Sequence, residues 1–102
     1  MTAIHLVERL NNLSRIDRDR NEWESGYWVV SEETAKKLIG GDLYLHKGQL
    51  VPSHFGGTIL GYRVQRGGEV DGRIIFRFQA TIGHKDVKTD REGWGNEKKV
   101  VG

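Results

Sequence analysis

Two strand-like segments, residues 58–65 and 73–81, constrain the fold of this 102-residue chain more than any other feature. Both are rich in β-branched and aromatic residues, and the polar, glycine-rich residues 66–72 separate them, which predicts an antiparallel hairpin. One register assembles an apolar face from the pairs Leu60–Phe78, Tyr62–Phe76 and Val64–Ile74. A shift of one residue would turn these side chains to opposite faces, so the apolar pattern fixes the register.

The opposite face of this hairpin carries three arginines, Arg63, Arg73 and Arg77. Planar guanidinium groups match the geometry of phosphate oxygens, so these arginines together with Lys47 form a candidate phosphate-binding surface. A solvated strand face is the alternative, because charges keep a sheet surface soluble and protect its edges. An acidic protein partner would also fit this surface.

Two helices are predicted. Apolar residues near the N-terminus recur at roughly helical spacing, which is typical of a short amphipathic helix. These residues are Ile4, Leu6, Val7, Leu10 and Leu13. The second helix begins at Ser31, whose hydroxyl can cap free amide groups, and ends at Gly40 or Gly41, which accept a left-handed conformation.

A strand is predicted at residues 42–47, where apolar and polar side chains alternate. Leu43 and Leu45 share one face, and Tyr44 and His46 share the other. The segment therefore indicates a half-buried strand that presents a histidine and a tyrosine on the face opposite its leucines.

These elements predict a single α+β domain with two helices packed on a curved, mainly antiparallel sheet or partial barrel. The aromatic and β-branched residues 26–30 are a further strand candidate. We expect the compact domain to cover residues 1–82. Residues 83–102 are expected to form a charged C-terminal segment that docks through Trp94.

The composition excludes several classes of site. The chain has no cysteine, so it has no disulfide framework, thiolate nucleophile or cysteine-based zinc site. It shows neither an export signal nor eighteen successive apolar residues, and we therefore expect a cytoplasmic protein without a membrane partner. The net charge of +2 is compatible with an anionic partner but does not identify one.

The segment at residues 40–62 holds an unusual set of polar residues, and its glycines and proline are explained by helix termination and strand entry. The remaining members are His46, Lys47, Gln49, Ser53 and His54. A histidine beside a lysine suits acid–base chemistry, so a small hydrolase or ribonuclease is one alternative. The sequence contains no nucleophile elbow and no phosphate loop, and a role in binding is preferred. No catalytic residue and no cofactor are predicted.

Four residues have side chains that suit a metal ion: Asp42, His46, His54 and His84. Their spacing does not place two of them on one face of a helix, as in known zinc motifs. Hydrogen-bonded or surface histidines are therefore the preferred interpretation, and no metal site is predicted.

Aromatic residues offer walls on which a planar ligand could stack. They are Trp23, Tyr27, Trp28, Tyr44 and Phe55. At least half are expected in the core, because neighbouring residues of a strand, such as Tyr27 and Trp28, point to opposite faces.

The order of elements over residues 23–81 resembles the PUA-like group, which includes ASCH and EVE domains. The resemblance lies in a strand, a capped helix, the strand Gly-Asp-Leu-Tyr-Leu-His, a loop, and the strand Gly-Thr-Ile-Leu-Gly-Tyr-Arg-Val. It implies a small curved sheet with a cleft that many members use to bind RNA or a modified nucleobase. By position, it nominates as cleft residues Trp23, Ser25, Trp28, His46 and Lys47.

The leading functional hypothesis is a small non-enzymatic module that binds RNA, DNA or a nucleobase. Its predicted ligand-binding residues are Trp23, Ser25, Trp28, His46, Lys47, Gln49, Ser53 and His54, with phosphate contacts from Arg63, Arg73 and Arg77. The second hypothesis is a protein-interaction or regulatory module, perhaps a homodimer, that uses the hairpin edge or the C-terminal segment.

Overall fold

A mixed β-sheet dominates the computed structural model, which describes residues 2–102. Within those residues seven strands hydrogen-bond in the order β2-β3-β6-β5-β4-β1-β7. The strands are β1 (Ala3–Val7), β2 (Ser14–Asp17), β3 (Glu22–Glu24), β4 (Asp42–His46), β5 (Ser53–Val64), β6 (Ile74–Ala80) and β7 (Lys98–Val101). All neighbouring strands are antiparallel except β1 and β4, which are parallel.

The prediction of a two-helix α+β domain is wrong. In residues 2–102 there is one α-helix, α1 (Glu32–Leu38), and one turn of 3-10 helix at Ile82–His84. The sheet is also mixed, because β1 lies parallel to β4 in its interior. None of the helical segments in the described chain is long and apolar enough to cross a membrane.

The predicted N-terminal helix is the strand β1. Ile4 and Leu6 point into the core and are fully buried, whereas His5 lies between them on the other face. Leu10, which the helical pattern would bury, is 87% exposed. The apolar spacing wrongly indicated a helix. A strand that lies between two other strands and is covered on both faces carries apolar residues almost continuously, so its spacing also fits a helix.

The hairpin of β5 and β6 forms with the predicted register over half its length. Tyr62 pairs with Phe76 and Val64 with Ile74, as the apolar pattern predicts. The register then shifts at a bulge between Ile59 and Gly61, and Ile59 takes the predicted place of Leu60 opposite Phe78. An extra residue in one strand reverses the inward and outward positions beyond it. Leu60 is therefore 41% exposed and Ile59 is buried.

The predicted second helix is confirmed as α1. Ser31 caps it, since the Ser31 hydroxyl accepts a hydrogen bond from the Thr34 amide at 3.2 Å. Ala35 and Leu38 are buried against the sheet. The core on this side contains buried side chains from the helix, from four strands and from the segment after β3.

The alternation predicted for β4 is confirmed and gives the sheet a second, polar face. Leu43 and Leu45 are fully buried in the core. Tyr44 and His46 lie on the opposite face, beside His5 of β1. The C-terminal segment crosses this second face and brings Trp94 against its histidines.

Candidate functional site

An open groove of about 910 Å³ lies between residues 27–29 and the turn at residues 95–98. A smaller pocket of about 380 Å³ continues it toward Leu10 and Asn12, and the two share much of their lining. The larger part is lined by Val7, Arg9, Tyr27, Trp28, Val29, Gln49, Arg73, Gly95, Asn96, Glu97 and Lys98.

The first wall is an extended segment that borders β6. The amide and carbonyl of Trp28 both hydrogen-bond to Ile74, at 2.9 Å each. In extended chain, neighbouring peptide groups point to alternate sides, so those of Tyr27 and Val29 point away from β6. The side chain of Tyr27 is 40% exposed, which leaves part of its ring free to contact a ligand.

The second wall is the tight turn that leads into β7. Gly95 and Lys98 hydrogen-bond to each other through their backbones, at 2.9 and 3.0 Å. The Val7 amide donates to the Glu97 carbonyl at 2.8 Å, which attaches the turn to β1. The ammonium group of Lys98 donates to the Val29 carbonyl and so connects the two walls.

Positive charge prevails along this groove. The residues that line its larger part, all within the described chain, include three cations, Arg9, Arg73 and Lys98, and one carboxylate, Glu97. Arg9 uses Nε to donate to the Lys47 carbonyl at 2.8 Å, which leaves its terminal nitrogens available. Arg73 makes no side-chain hydrogen bond or ion pair to any part of the chain that the structure describes.

Trp28 forms the buried floor of the groove and is 8% exposed. Its indole Nε1 is buried and has no hydrogen-bond partner among residues 2–102. A buried donor without a partner costs about 1 to 3 kcal/mol. A ligand oxygen or nitrogen that reached this atom would recover that cost.

A buried pair of histidines lies behind the second wall. His46 Nδ1 is 2.7 Å from the Val51 carbonyl oxygen, which can only accept, so Nδ1 carries a proton. In the neutral ring His46 Nε2 is then an acceptor, and His5 Nδ1 donates to it at 2.8 Å. The His5 ring also stacks on Tyr44, with ring centres 4.7 Å apart. These bonds require a neutral His46 ring with its proton on Nδ1, and they place a proton on Nδ1 of His5.

The surroundings of this pair oppose a positive charge. Burial, with smaller contributions from repulsion by His46 and Lys99, lowers the pKa of His5 to about 4. Burial also lowers the pKa of His46, and repulsion from His54 acts in the same direction, whereas the hydrogen bond that His46 donates to the Val51 carbonyl opposes the shift. Neutral imidazoles are therefore the native form at neutral pH.

The predicted site residues do not come together in one place. Trp28, Gln49 and Arg73 line the groove. Gln49 donates from its amide to the Asn96 carbonyl at 2.7 Å and braces the second wall. These three residues came from two separate predicted sets, one of ligand contacts and one of phosphate contacts.

Three other predicted residues are buried and occupied by internal hydrogen bonds. His46 belongs to the histidine pair. The Ser25 hydroxyl donates to the Gly26 carbonyl and accepts from the Phe76 amide, both at 2.9 Å. Ser53 is 2% exposed, and its hydroxyl hydrogen-bonds to the backbone of His84 and Val87. The imidazole of His46 and the hydroxyls of the two serines are therefore engaged in stabilising the fold.

The remaining predicted ligand contacts lie apart from the groove lining. Trp23 is on β3, where its ring packs edge-on against Phe55 with centres 5.1 Å apart. His54 places Nε2 at 3.3 Å from the Glu8 carbonyl. The side chain of Lys47 is exposed next to Arg9.

Two glutamates of β3 neutralise two of the three arginines in the predicted phosphate-binding surface. Arg63 forms a double hydrogen bond with the carboxylate of Glu24, at 2.9 and 3.2 Å. Arg77 donates from Nε and from a terminal nitrogen to one carboxylate oxygen of Glu22. Of the three arginines, Arg73 keeps its charge without a carboxylate partner in the described chain.

Sequence reasoning did not nominate His5, Arg9 or Lys98 as site residues. The sequence signal for His5 was its position between Ile4 and Leu6. If this segment is a strand, His5 points to the face opposite the two apolar residues, as Tyr44 and His46 do in β4. No signal in the sequence places Arg9 and Lys98 beside Arg73, because they meet only when β1 and β7 pair.

The candidate metal ligands lie in different hydrogen-bond networks. His84 Nε2 is 2.9 Å from the Asp42 carboxylate, and His84 Nδ1 is 2.5 Å from the Thr81 hydroxyl. His46 and His54 take part in neither contact. Throughout residues 2–102, no three histidine or acidic side chains are grouped so as to hold a metal ion.

Replacing Ser53 with alanine should loosen the C-terminal segment. The Ser53 hydroxyl donates to the His84 carbonyl at 2.7 Å and accepts from the Val87 amide at 2.9 Å. Loss of these buried bonds should reduce the free energy of unfolding by about 1 to 3 kcal/mol in a urea titration. Ser14→Ala is the control, because Ser14 is exposed on the edge strand β2. Equal losses in the two variants would contradict this role.

Family models, curated proteins and solved structures provide no match to this chain.

Proposed function

We propose that this protein is a non-enzymatic binding module that takes a short stretch of single-stranded nucleic acid in the groove. The observation that carries the proposal is the combination of a half-exposed tyrosine with three cations along one open groove. Aromatic rings bind bases by stacking without regard to sequence, and cations bind the phosphates between them. This combination matches the two repeating parts of a nucleic-acid strand.

Each side chain has a role in this proposal. Tyr27 stacks a base, and Arg73 and Lys98 contact the flanking phosphates from opposite walls. Arg9 extends the cationic path toward the smaller pocket. The open shape favours a flexible single strand over a duplex, because unstacked bases can reach the groove wall.

Two variants should weaken binding in different ways. Tyr27→Ala removes a stacking surface and should raise the dissociation constant about 5-fold or more, since one stacked base contributes about 1 to 3 kcal/mol. Arg73→Gln removes one phosphate contact and should reduce the slope of log K against log salt by about 0.7. Fluorescence anisotropy measures both effects, with labelled oligonucleotides of ten U, ten A or ten dT nucleotides at several salt concentrations. The comparison of the U and dT oligonucleotides also distinguishes RNA from DNA.

Lys36→Gln is the matched control for Arg73→Gln. Lys36 is an exposed lysine on α1, outside the lining of the groove, and its replacement changes the net charge equally. The proposal fails if none of the strands binds saturably at low salt. It also fails if Lys36→Gln weakens binding as much as Arg73→Gln does, because the effect would then reflect total charge.

A further inference from the structure

The second wall of the groove rests on the buried histidine pair. Trp94 packs edge-on against both rings, with ring centres 6.3 Å from His5 and 5.8 Å from His46. Residues 95–98, which form the wall, follow Trp94 directly in the chain. Any change that displaces Trp94 therefore acts on the shape of the groove.

A buried lysine ties the same segment to the sheet. Lys99 is the cross-strand partner of His5 on β7 and is 7% exposed. Its ammonium group donates to the Thr89 hydroxyl at 2.7 Å and to the Asp90 carboxylate at 2.6 Å. Lys99 thus holds the start of residues 89–98, and the Trp94 ring holds their middle by packing on the imidazoles. Hydrogen bonds of Glu97 and Lys98 attach their far end to β1 and to Val29.

The groups that face the histidine pair provide little to balance a further positive charge. Lys99 approaches from β7 and His54 from β5, and both repel it. Tyr44 of β4 stacks on His5 as a neutral ring, and the ring of His84 lies beyond Tyr44. The nearby carboxylates are already engaged: Asp90 binds Lys99, Asp42 binds His84, and Glu8 accepts from the Leu10 amide. Among the ion pairs in residues 2–102, none involves His5 or His46.

We propose that the groove is gated by pH: a proton taken up by the His5–His46 pair releases Trp94, opens residues 89–98 and weakens ligand binding. This regulation rests on the proposed function, since it concerns the same groove. Its direction is opposite to that of simple charge, because protonated histidines elsewhere would strengthen binding to a polyanion. The direction of the pH effect therefore separates the two mechanisms.

The pKa of His5 determines how strongly pH shifts the equilibrium between the closed and the open form. Burial holds that pKa at about 4 in the closed form, whereas an exposed imidazole titrates near 6.5. Proton linkage then makes the opening equilibrium about 30-fold more favourable at pH 5.0 than at pH 7.5.

Hydrogen exchange of the intact protein at pH 7.5 and 5.0, corrected for the intrinsic exchange rate, measures this opening. Amides of residues 89–98 should lose protection about 30-fold at pH 5.0 and should stay less protected than those of β5 and β6. His5→Asn is the matched variant, because its amide nitrogen occupies the position of Nδ1 and can still donate to His46 but does not titrate. Its loss of protection between the two pH values should be much smaller. Unchanged protection of residues 89–98 in the wild type, or exchange in step with β5 and β6 at both pH values, overturns the gate.

Binding of a labelled ten-residue U strand at the two pH values completes the test. The dissociation constant of the wild-type protein should rise at pH 5.0, and that of His5→Asn should fall or stay constant. If His5→Asn does not fold, the same wild-type comparison, with an NMR titration of the His5 ring, decides the question. No binding at pH 7.5 would refute the proposed function. Binding at pH 7.5 that tightens at pH 5.0 would refute the gate alone.

Discussion

Gly57→Ala should strongly destabilise this protein. Gly57 lies inside β5, between Leu43 of β4 and Ala80 of β6. A Cβ atom at this position would overlap the backbone carbonyl oxygen of Gln79, which a change of rotamer cannot relieve. The β5–β6 pairing must move to accept it, so the free energy of unfolding should fall by about 3 kcal/mol or more. Urea titration with far-UV circular dichroism measures the change.

Gly61→Ala is the matched control in the same strand. A Cβ atom at Gly61 meets no other atom within 4 Å, and the backbone there is not in the left-handed region. The substitution should therefore be neutral or stabilise the protein by about 0.4 to 1 kcal/mol, because it reduces the freedom of the unfolded chain. Similar stabilities for the Gly57 and Gly61 variants would show that β5 is not held between its neighbours as described.

Acidification from pH 7 to pH 5 should reduce the free energy of unfolding by about 2 kcal/mol through His5 alone. The pKa of His5 is about 4 in the folded protein because its ring is buried, and it returns to about 6.5 on unfolding. The unfolded chain therefore binds more protons, and stability is lost as the pH falls through the window from 6.5 to about 4. The full loss is about 3 kcal/mol, and the lowered pKa of His46 acts in the same direction.

Urea titrations at pH 7, 6 and 5 test this dependence, since most carboxylates stay ionised above pH 5. His5→Asn should flatten the pH dependence, even if it lowers stability at pH 7. His54→Gln is the comparison, because His54 lies outside the pair and its ring makes one hydrogen bond within residues 2–102, at 3.3 Å to the Glu8 carbonyl. A wild-type stability that stays constant from pH 7 to pH 5 would contradict the buried, neutral state of His5.

Local signals in the sequence identified some elements correctly. The cap at Ser31 and the alternation of residues 42–47 predicted α1 and β4 because both patterns arise within a few residues. The β5–β6 register was correct from Tyr62 onwards, since the apolar pairs define it. The bulge before Gly61 escaped prediction because one inserted residue leaves no mark on composition.

The candidate site was less accessible to sequence reasoning. Trp28, Gln49 and Arg73 were nominated for their chemistry, but they stand in different segments, and Arg9 and Lys98 join them only through strand pairing. Ser25 and Ser53 were nominated for the same chemistry and proved to be internal hydrogen-bond partners. Residue type alone does not separate a polar group that faces a ligand from one that satisfies the backbone.

The capped helix, the two faces of β4 and the apolar pairing in the β5–β6 hairpin could be read from the amino-acid sequence, because hydrogen bonds and alternation within short segments specify them. That residues 3–7 form a strand beside β4 became clear from the fold alone, since the same apolar spacing fits a helix or a strand covered on both faces. That placement brings His5 onto His46, and the pairing of β1 with β7 brings Lys99 and Trp94 over them. The groove and its neighbouring histidine pair thus depend on contacts between residues about 40 to 90 positions apart, which local patterns do not encode.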